Sequence, residues 1–275
     1  MSQSPTLTST ERAAPSSKYL AELGAFAIEF ARAGRELYSV FVRTLYYTFR
    51  GQYERGAVVR QMYLMGNQSL FFITVTMGFI GMILVLQGGT QAQRVIPDPT
   101  VIGSTYLELL YRDLAASIGA LMLATRVGAG IAAELGSMVV TEQIDALRMC
   151  AADPIDYLIK PRFVAGVIMT TVLIIWSAMV ATLTGMGTAF VFFEIHPNVF
   201  FDLRLVGFDD LLVGLTKCLA YGAAIPIVSG YCGLSTFGGS EGVGWATTRA
   251  VVNSSLAVIM LNFFISGAAF LIVGA

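Results

Sequence analysis

The stretch Ser69–Gln87 reads SLFFITVTMGFIGMILVLQ and contains no charged residue. A helix needs about 20 apolar residues to cross the hydrocarbon core of a bilayer, so this stretch predicts a membrane span. The whole chain shares its bias, because 56% of the residues are hydrophobic and 13% are charged, whereas about 25% are charged in soluble domains. Lipid must cover this apolar excess, and we expect an all-α integral membrane protein.

Four further apolar stretches complete the expected membrane domain, which covers residues 51–275. The five expected spans lie at 69–87, 105–133, 163–193, 211–235 and 250–275. Arg126 interrupts the second of them, and the fourth contains Lys217 and Pro226. Ionisable residues inside spans are costly and by default indicate a functional path.

Glycine, proline and charge predict the connecting segments. Gly51–Asn67 is typical of a polar connector, and Gly88–Gly89 together with Pro97 and Pro99 is expected to end the first span and to form an external loop. Pro161 is placed to start the third span, since proline is tolerated in the first turn of a helix. Thr236–Arg249 is glycine-rich and is expected to form a loop before the fifth span.

Two N-terminal segments precede the membrane domain. Residues 1–17 are rich in Ser, Thr and Pro and lack an apolar run, so we expect a disordered tail rather than a cleavable signal peptide. Residues 18–50 place charged side chains on one arc of a helical wheel and Leu and Phe on the other. This pattern predicts an interfacial amphipathic helix that lies in the membrane surface.

The distribution of Lys and Arg predicts the orientation of the spans. The N-terminal region, the segment 134–162 and the Thr236–Arg249 loop hold most of the basic residues, whereas the opposite loops hold Arg94, Arg204 and, at a span boundary, Arg112. Short loops rich in Lys and Arg face the cytoplasm. We therefore expect a cytoplasmic N-terminus and a C-terminus on the other side of the membrane.

The segment 134–162 is a polar stretch between two apolar spans. Thr141 is suited to cap a short helix with Glu142 in its first turn. The charged side of this helix would hold Glu142, Asp145 and Arg148. An apolar ridge would hold Ile144, Leu147 and Ala151. Such a helix either docks into a groove on a second protein or is an ordinary solvated loop helix, and the spacing alone leaves both interpretations open.

The sequence argues against several functions. It contains no GxxxxGK[ST] phosphate loop, HExxH, CxxC or GxSxG motif, so neither ATP hydrolysis by the P-loop route nor these enzyme classes are expected. The three cysteines are scattered, and the single histidine, His196, is alone in a loop, so no metal or cofactor is expected. A net charge of -1 gives no basic patch for nucleic acid.

Three motifs make the chain recognisable. They are GMILVLQG at Gly81–Gly88, AELGSM followed by TEQIDAL within Ala133–Leu147, and GGSEGVG at Gly238–Gly244. In this order they closely resemble the MlaE/YrbE family of permeases. The resemblance implies a homodimeric membrane subunit of an ABC transporter that moves phospholipid together with a periplasmic MCE-domain substrate-binding protein. It also implies that a separate cytoplasmic ATPase subunit hydrolyses ATP and that this chain is not an enzyme.

The resemblance assigns expected roles to individual residues. The positions expected to couple to the ATPase are Glu134, Thr141, Glu142, Gln143, Asp145, Leu147, Glu241 and Arg249. The positions expected to bind lipid are Gln87, Arg112, Asp113 and Lys217. From the residues alone, Lys217 either binds a lipid phosphate or forms a structural ion pair with Asp113, because both arrangements compensate a charge inside a span.

The expected function is transfer of phospholipid between a bacterial inner membrane and the MCE carrier, which maintains the lipid asymmetry of the outer membrane. A permease of the same build for a sterol or another hydrophobic cargo is an alternative, which Arg112 and Lys217 disfavour because a sterol needs no cation. A secondary carrier without an ATPase would need coupling carboxylates inside the spans, where only Asp113 qualifies. A membrane scaffold that transports nothing would leave the cost of Lys217 unexplained.

Overall fold

The computed structural model of the chain describes residues 15–50, 55–95, 100–202 and 206–273. In these ranges the chain forms ten α-helices and three π-helical turns, and no strand. Five helical segments are long and apolar enough to cross a membrane: Gly56–Gln91, Gly103–Val140, Ile155–Phe193, Phe208–Leu234 and Gly239–Ile272. The all-α class and the five spans expected from the sequence are therefore confirmed.

The helices in chain order are α1 (Pro15–Arg50), α2 (Arg55–Val95), α3 (Thr100–Leu109), α4 (Ala115–Leu123), α5 (Ala129–Val140), α6 (Gln143–Met149), α7 (Lys160–Phe193), α8 (Pro197–Phe200), α9 (Phe208–Leu234) and α10 (Gly239–Val273). π turns at Leu110–Leu114 and Ala124–Gly128 join α3, α4 and α5 into one continuous rod, and a third, Ile155–Ile159, leads into α7. Because α6 connects the second span to the third and α8 connects the third to the fourth, these two short helices mark opposite ends of the bundle. They are called the α6 end and the α8 end below.

The core lies where α2, α4, α7 and α9 pack against one another. Ile73, Leu123, Leu173 and Tyr221 belong to its main apolar cluster, one from each helix. α10 is packed less than the other spans. Only 6% of its most apolar 18-residue stretch is buried, whereas the corresponding stretches of the other four spans are 33% to 56% buried. Its outer face, which includes Phe263, is exposed and needs lipid or a protein partner to cover it.

The first span extends beyond its expected limits at both ends. α2 begins at Arg55, so most of the expected connector Gly51–Asn67 is helical. It also continues through Gly88–Gly89 to Val95, which corrects the expectation that this pair ends the span. The reason is close packing, because a Cβ at Gly89 would lie 2.4 Å from the ring of Phe193 on α7.

The fifth span begins earlier than expected. α10 starts at Gly239, so most of the expected loop Thr236–Arg249 is helical. The turn itself is short, because Gly238 and Gly239 have φ angles of 83° and 78°, a backbone conformation that glycine adopts at little cost. The helix then presses against this turn, since a Cβ at Gly242 would lie 1.8 Å from the backbone oxygen of Phe237.

The expected interfacial helix corresponds to α1, which begins at Pro15. Its place in the membrane surface stays a prediction. Of the tail expected at residues 1–17, residues 15–17 belong to α1 instead, and residues 1–14 lie outside the described residues, as does Arg204. Hydrogen bonds attach α1 to two other parts of the chain that the structure describes. The Tyr231 hydroxyl donates to Glu36 at 2.9 Å, and the Tyr47 hydroxyl donates to Asp153 at 2.9 Å.

Candidate functional site

A buried ion pair joins the second and fourth spans. The Lys217 ammonium on α9 lies 2.5 Å from Asp113 Oδ1, and the side chains are 1% and 41% exposed, respectively. The Ser117 hydroxyl donates to the same carboxylate oxygen at 3.0 Å. Of the two roles left open for Lys217, this state of the protein shows the ion pair. A buried lysine in a span requires such a counter-charge.

Arg112 and Asp113 are adjacent in the first π turn, but they pair with different residues of α9. Arg112 lies 3.5 Å from Asp210, which is about two helical turns before Lys217 and therefore on the same face of α9. Gly214 lies between these two α9 residues, and a Cβ there would lie 2.4 Å from the backbone oxygen of Tyr111. The missing side chain at Gly214 thus allows the π turn to approach α9 and form both pairs. π turns of this kind are frequent at functional sites.

Sequence reasoning missed the polar partners of this cluster. Asn262 on α10 contacts the Asp113 carboxylate, and the Ser266 hydroxyl donates to Asn262 Oδ1 at 3.3 Å. The fully buried Tyr221 lies one helical turn after Lys217 on α9. Asn262 could have been noticed in the sequence as an amide within the uncharged fifth span. Polar side chains in spans usually hydrogen-bond across helices.

Gln87, the fourth residue expected to bind lipid, is not part of this cluster. Its side chain is exposed on α2, and its backbone oxygen accepts a hydrogen bond from Thr90 at 2.9 Å. None of the side-chain hydrogen bonds described for this chain joins it to Lys217 or Asp113. Three of the four expected lipid-binding residues therefore come together within a single chain.

At the α6 end, Glu134 has a partner within the chain. It lies on α5, and its carboxylate is 2.9 Å from the guanidinium of Arg162 at the start of α7. Arg162 is buried and also donates to the backbone oxygen of Leu158 at 2.6 Å. Pro161 occupies the first turn of α7, as expected. The ion pair therefore fixes the ends of the second and third spans on either side of α6, while the docking role of Glu134 stays a prediction.

The expected cap of α6 is wrong. Thr141 ends α5, and its hydroxyl donates to the backbone oxygen of Ser137 at 2.8 Å instead of capping α6. Glu142 is the N-cap of α6 rather than a first-turn residue, has φ 58° and forms no side-chain cap. Ala151, just beyond the other end, also has φ 58°. Non-glycine residues rarely adopt this left-handed conformation, and strained residues of this kind cluster at functional sites.

The apolar side of α6 was expected to be free for a partner, but it packs against the chain itself. Ile144 is buried, and Leu147 packs with it against the chain's own core near Leu135. The ridge therefore attaches α6 to the bundle and is not available to a partner as a whole. The side chains of α6 and its N-cap that remain exposed are Glu142, Gln143, Asp145, Ala146, Arg148 and Met149. Arg148 pairs with Asp145 at 3.2 Å on this exposed side.

The glycine-rich motif Gly238–Gly244 lies next to the end of α5, which leads into α6. Glu241 and Arg249 line one cavity of about 340 Å³ beside the turn between α9 and α10. A Cβ at Gly136 of α5 would lie 2.9 Å from Thr236 Oγ1 in this turn. The two motifs at the α6 end are thus in direct contact, and Gly136 allows the close approach.

α1 reaches the same end of the bundle through the segment that follows α6. Asp153 accepts the hydrogen bond from Tyr47 described above and also one from the backbone NH of Ile155 at 3.0 Å. The hydrogen bond to Asp153 and the negative charge of this carboxylate raise the pKa of the Tyr47 phenol. Tyr47 therefore stays protonated and able to donate at neutral pH.

Comparison with known proteins agrees with this architecture. A sequence profile of the family described as Permease MlaE matches residues 58–268. The chain is 37% identical over 219 residues to a probable ABC transporter permease protein of Synechocystis sp., covering 79% of this chain and 83% of the relative. It is 34% identical over 211 residues to a probable ABC transporter permease protein of Rickettsia felis, covering 76% and 81%.

A third relative carries a more specific name. The intermembrane phospholipid transport system permease protein MlaE of Haemophilus influenzae is 34% identical over 219 residues, covering 78% of this chain and 82% of the relative. The names of these relatives fit a non-catalytic, multi-pass membrane subunit. The profile match and the relatives together show that this chain belongs to the MlaE permease family.

Proposed function

We propose that this chain is the membrane subunit of an ABC transporter that moves phospholipid between the bacterial inner membrane and an MCE-domain carrier in the periplasm. This transfer would contribute to the lipid asymmetry of the outer membrane. A separate cytoplasmic ATPase would hydrolyse the ATP. The observation that carries the proposal is the Lys217–Asp113 pair inside the spans of an MlaE-family permease, because charges at this depth are retained where they serve a substrate path.

The exposed part of the cluster has the chemistry of a headgroup site. Arg112 is 32% exposed and is the cation that a lipid phosphate would meet first, since guanidinium binds phosphate through paired hydrogen bonds. The half-exposed Asp113 carboxylate lies next to it and suits an ammonium group. Lys217 holds Asp113 in place from behind and would reach a phosphate only after this pair opens.

A second copy of the chain would complete the site. Asn262 connects α10 to the cluster, and the exposed apolar face of α10 lies on the same helix. Two copies that meet through this face would place their clusters on either side of a shared apolar space. Such a closed path is physically necessary, because moving an acyl chain through water costs about 0.8 kcal/mol for each CH₂ group.

The ATPase would dock at the α6 end. Glu142, Gln143 and Asp145 are exposed there, and the neighbouring cavity of Glu241 and Arg249 adds a second polar surface. This assignment puts the N-terminus in the cytoplasm and the C-terminus in the periplasm, in agreement with the distribution of basic residues. The left-handed residues Glu142 and Ala151, at the two ends of α6, would help to fix its direction relative to the spans.

Co-purification from the native membrane in mild detergent tests the proposal. The wild-type chain is expected to bring an ATPase, an MCE protein and phospholipid, all identified by mass spectrometry. Glu142→Lys is expected to lose the ATPase. Glu194→Lys is the matched control, because Glu194 is also an exposed glutamate with a left-handed backbone, φ 55°, but lies at the α8 end. A wild-type chain that purifies with neither protein would refute the transporter assignment.

A further inference from the structure

A second polar site lies between α2 and the π turn Ala124–Gly128. Arg126 is at its centre, and its Nε donates to the backbone oxygen of Gln68 at 2.8 Å. The residue is exposed although it belongs to an apolar span. Within the described part of the chain no carboxylate pairs with it, since Glu134 is paired with Arg162 instead. Nothing in the proposed transport function uses this cation.

The guanidinium faces a cavity of about 290 Å³. Gln61, Leu64, Gln68, Ser69 and Gly130 are among the residues that line it. Glu134 lines it as well, and its carboxylate is neutralised by the ion pair with Arg162. A Cβ at Gly130 would meet no atom within 4 Å, so the space in front of this glycine is open. The site thus combines a cation that has no carboxylate partner, a carboxylate that Arg162 already neutralises, amide and hydroxyl groups, and an apolar wall.

The depth of the cavity indicates which ligand reaches it. Gln68 directly precedes the uncharged stretch Ser69–Gln87, so Arg126 lies at the level where the apolar part of the first span begins at the α6 end. Lipid phosphates occupy this boundary between hydrocarbon and water. Along the rod, Arg126 is about 20 Å from Asp113 at a rise of about 1.5 Å per residue. The two sites are therefore separate.

We propose that this cavity binds the phosphate of an anionic phospholipid from the leaflet at the α6 end. The terminal nitrogens of Arg126 would hold the phosphate through charge-assisted hydrogen bonds, which guanidinium forms in pairs. Gln61 and Ser69 would add uncharged donors, and Leu64 would contact the apolar part of the lipid. A free phosphate ion has the same anionic chemistry, and the experiment below separates the two sources. The proposal requires only a membrane and is independent of what the protein transports.

The test uses the full-length protein in nanodiscs of phosphatidylcholine with increasing fractions of phosphatidylglycerol. A photo-crosslinking amino acid replaces Leu64, which lines the cavity, and mass spectrometry quantifies the phosphatidylglycerol attached. Arg126→Gln is expected to raise the half-saturating fraction about tenfold, the effect of losing a hydrogen bond between charged groups. Gly130→Met keeps the charge, fills the open space and is expected to abolish crosslinking.

Arg60→Gln is the matched control. Arg60 is an exposed arginine on α2 that does not line the cavity, so crosslinking is expected to stay at the wild-type level. Equal losses in Arg60→Gln and Arg126→Gln would overturn the proposal, because bulk surface charge would then explain the attraction. Wild-type crosslinking in both Arg126→Gln and Gly130→Met would overturn it as well. Competition by excess inorganic phosphate would assign the cavity to free phosphate and contradict the lipid source.

Discussion

Lys217 is more deeply buried than Asp113. We therefore predict that removing the charge of Asp113 lowers the free energy of unfolding more than removing the charge of Lys217. Asp113→Asn leaves an ammonium group that is 1% exposed without its counter-charge. Breaking a buried pair in this way lowers the free energy of unfolding by about 3–5 kcal/mol. Lys217→Met leaves a carboxylate that is 41% exposed and still accepts a hydrogen bond from Ser117, so we expect a loss of about 1–2 kcal/mol. The double variant removes both charges and is expected to lose less than Asp113→Asn alone.

Unfolding of the purified protein by sodium dodecyl sulfate, followed by circular dichroism, measures these differences. Asp145→Asn is the matched control, because the Asp145–Arg148 pair is 68% and 64% exposed and such surface pairs contribute at most about 1 kcal/mol. The reasoning is refuted if Asp113→Asn costs no more than Asp145→Asn. It is also refuted if the double variant loses the full sum of the two single losses, since the charges would then not be coupled.

Three further predictions concern the backbone and α1. Gly214→Ala is expected to lower the free energy of unfolding by more than about 1 kcal/mol, because the new Cβ would lie 2.4 Å from the Tyr111 backbone oxygen, whereas Gly187→Ala has open space and should not destabilise; the same unfolding assay compares them. Ala151→Gly is expected to stabilise by about 1 kcal/mol by relieving φ 58°, while Ala146→Gly within α6 is expected to destabilise by a similar amount; equal signs for the two would contradict the strain. Tyr47→Phe removes the hydrogen bond to Asp153 and is expected to increase amide hydrogen exchange in α1 relative to Tyr38→Phe, a substitution of an exposed tyrosine on the same helix; unchanged exchange would show that this bond does not hold α1.

The spans could be predicted from the sequence because apolar composition is a local property. Their ends could not, because tertiary contacts decide them. Glycine has a low helix preference, yet α2 continues through Gly89, where the absence of a side chain lets the ring of Phe193 pack closely. In the same way the composition of Thr236–Arg249 is that of a flexible loop, although only residues 235–238 lie between the two helices and α10 begins at Gly239.

The candidate site was predictable in part for a similar reason. Lys217 and Asp113 were conspicuous as charges near apolar spans, and their pairing was one of two expected outcomes. The pairing of Arg112 with Asp210 was not predictable, because it depends on the π turn and on the close approach at Gly214. Thr141 has the residue type of a cap, but the left-handed backbone at Glu142 places α6 beyond its reach. Such a conformation has no marker in the sequence when the residue is not glycine.

The most direct test of the central claim is lipid transfer by this permease purified with the ATPase and the MCE carrier proposed for it, in liposomes that contain a fluorescent phospholipid. We predict that phospholipid moves between the liposome and the carrier only when ATP is hydrolysed. Glu142→Lys is expected to abolish this movement and Glu194→Lys to preserve it. Phospholipid movement that does not depend on ATP, or ATP-dependent movement of a fluorescent sterol without phospholipid, would contradict the account.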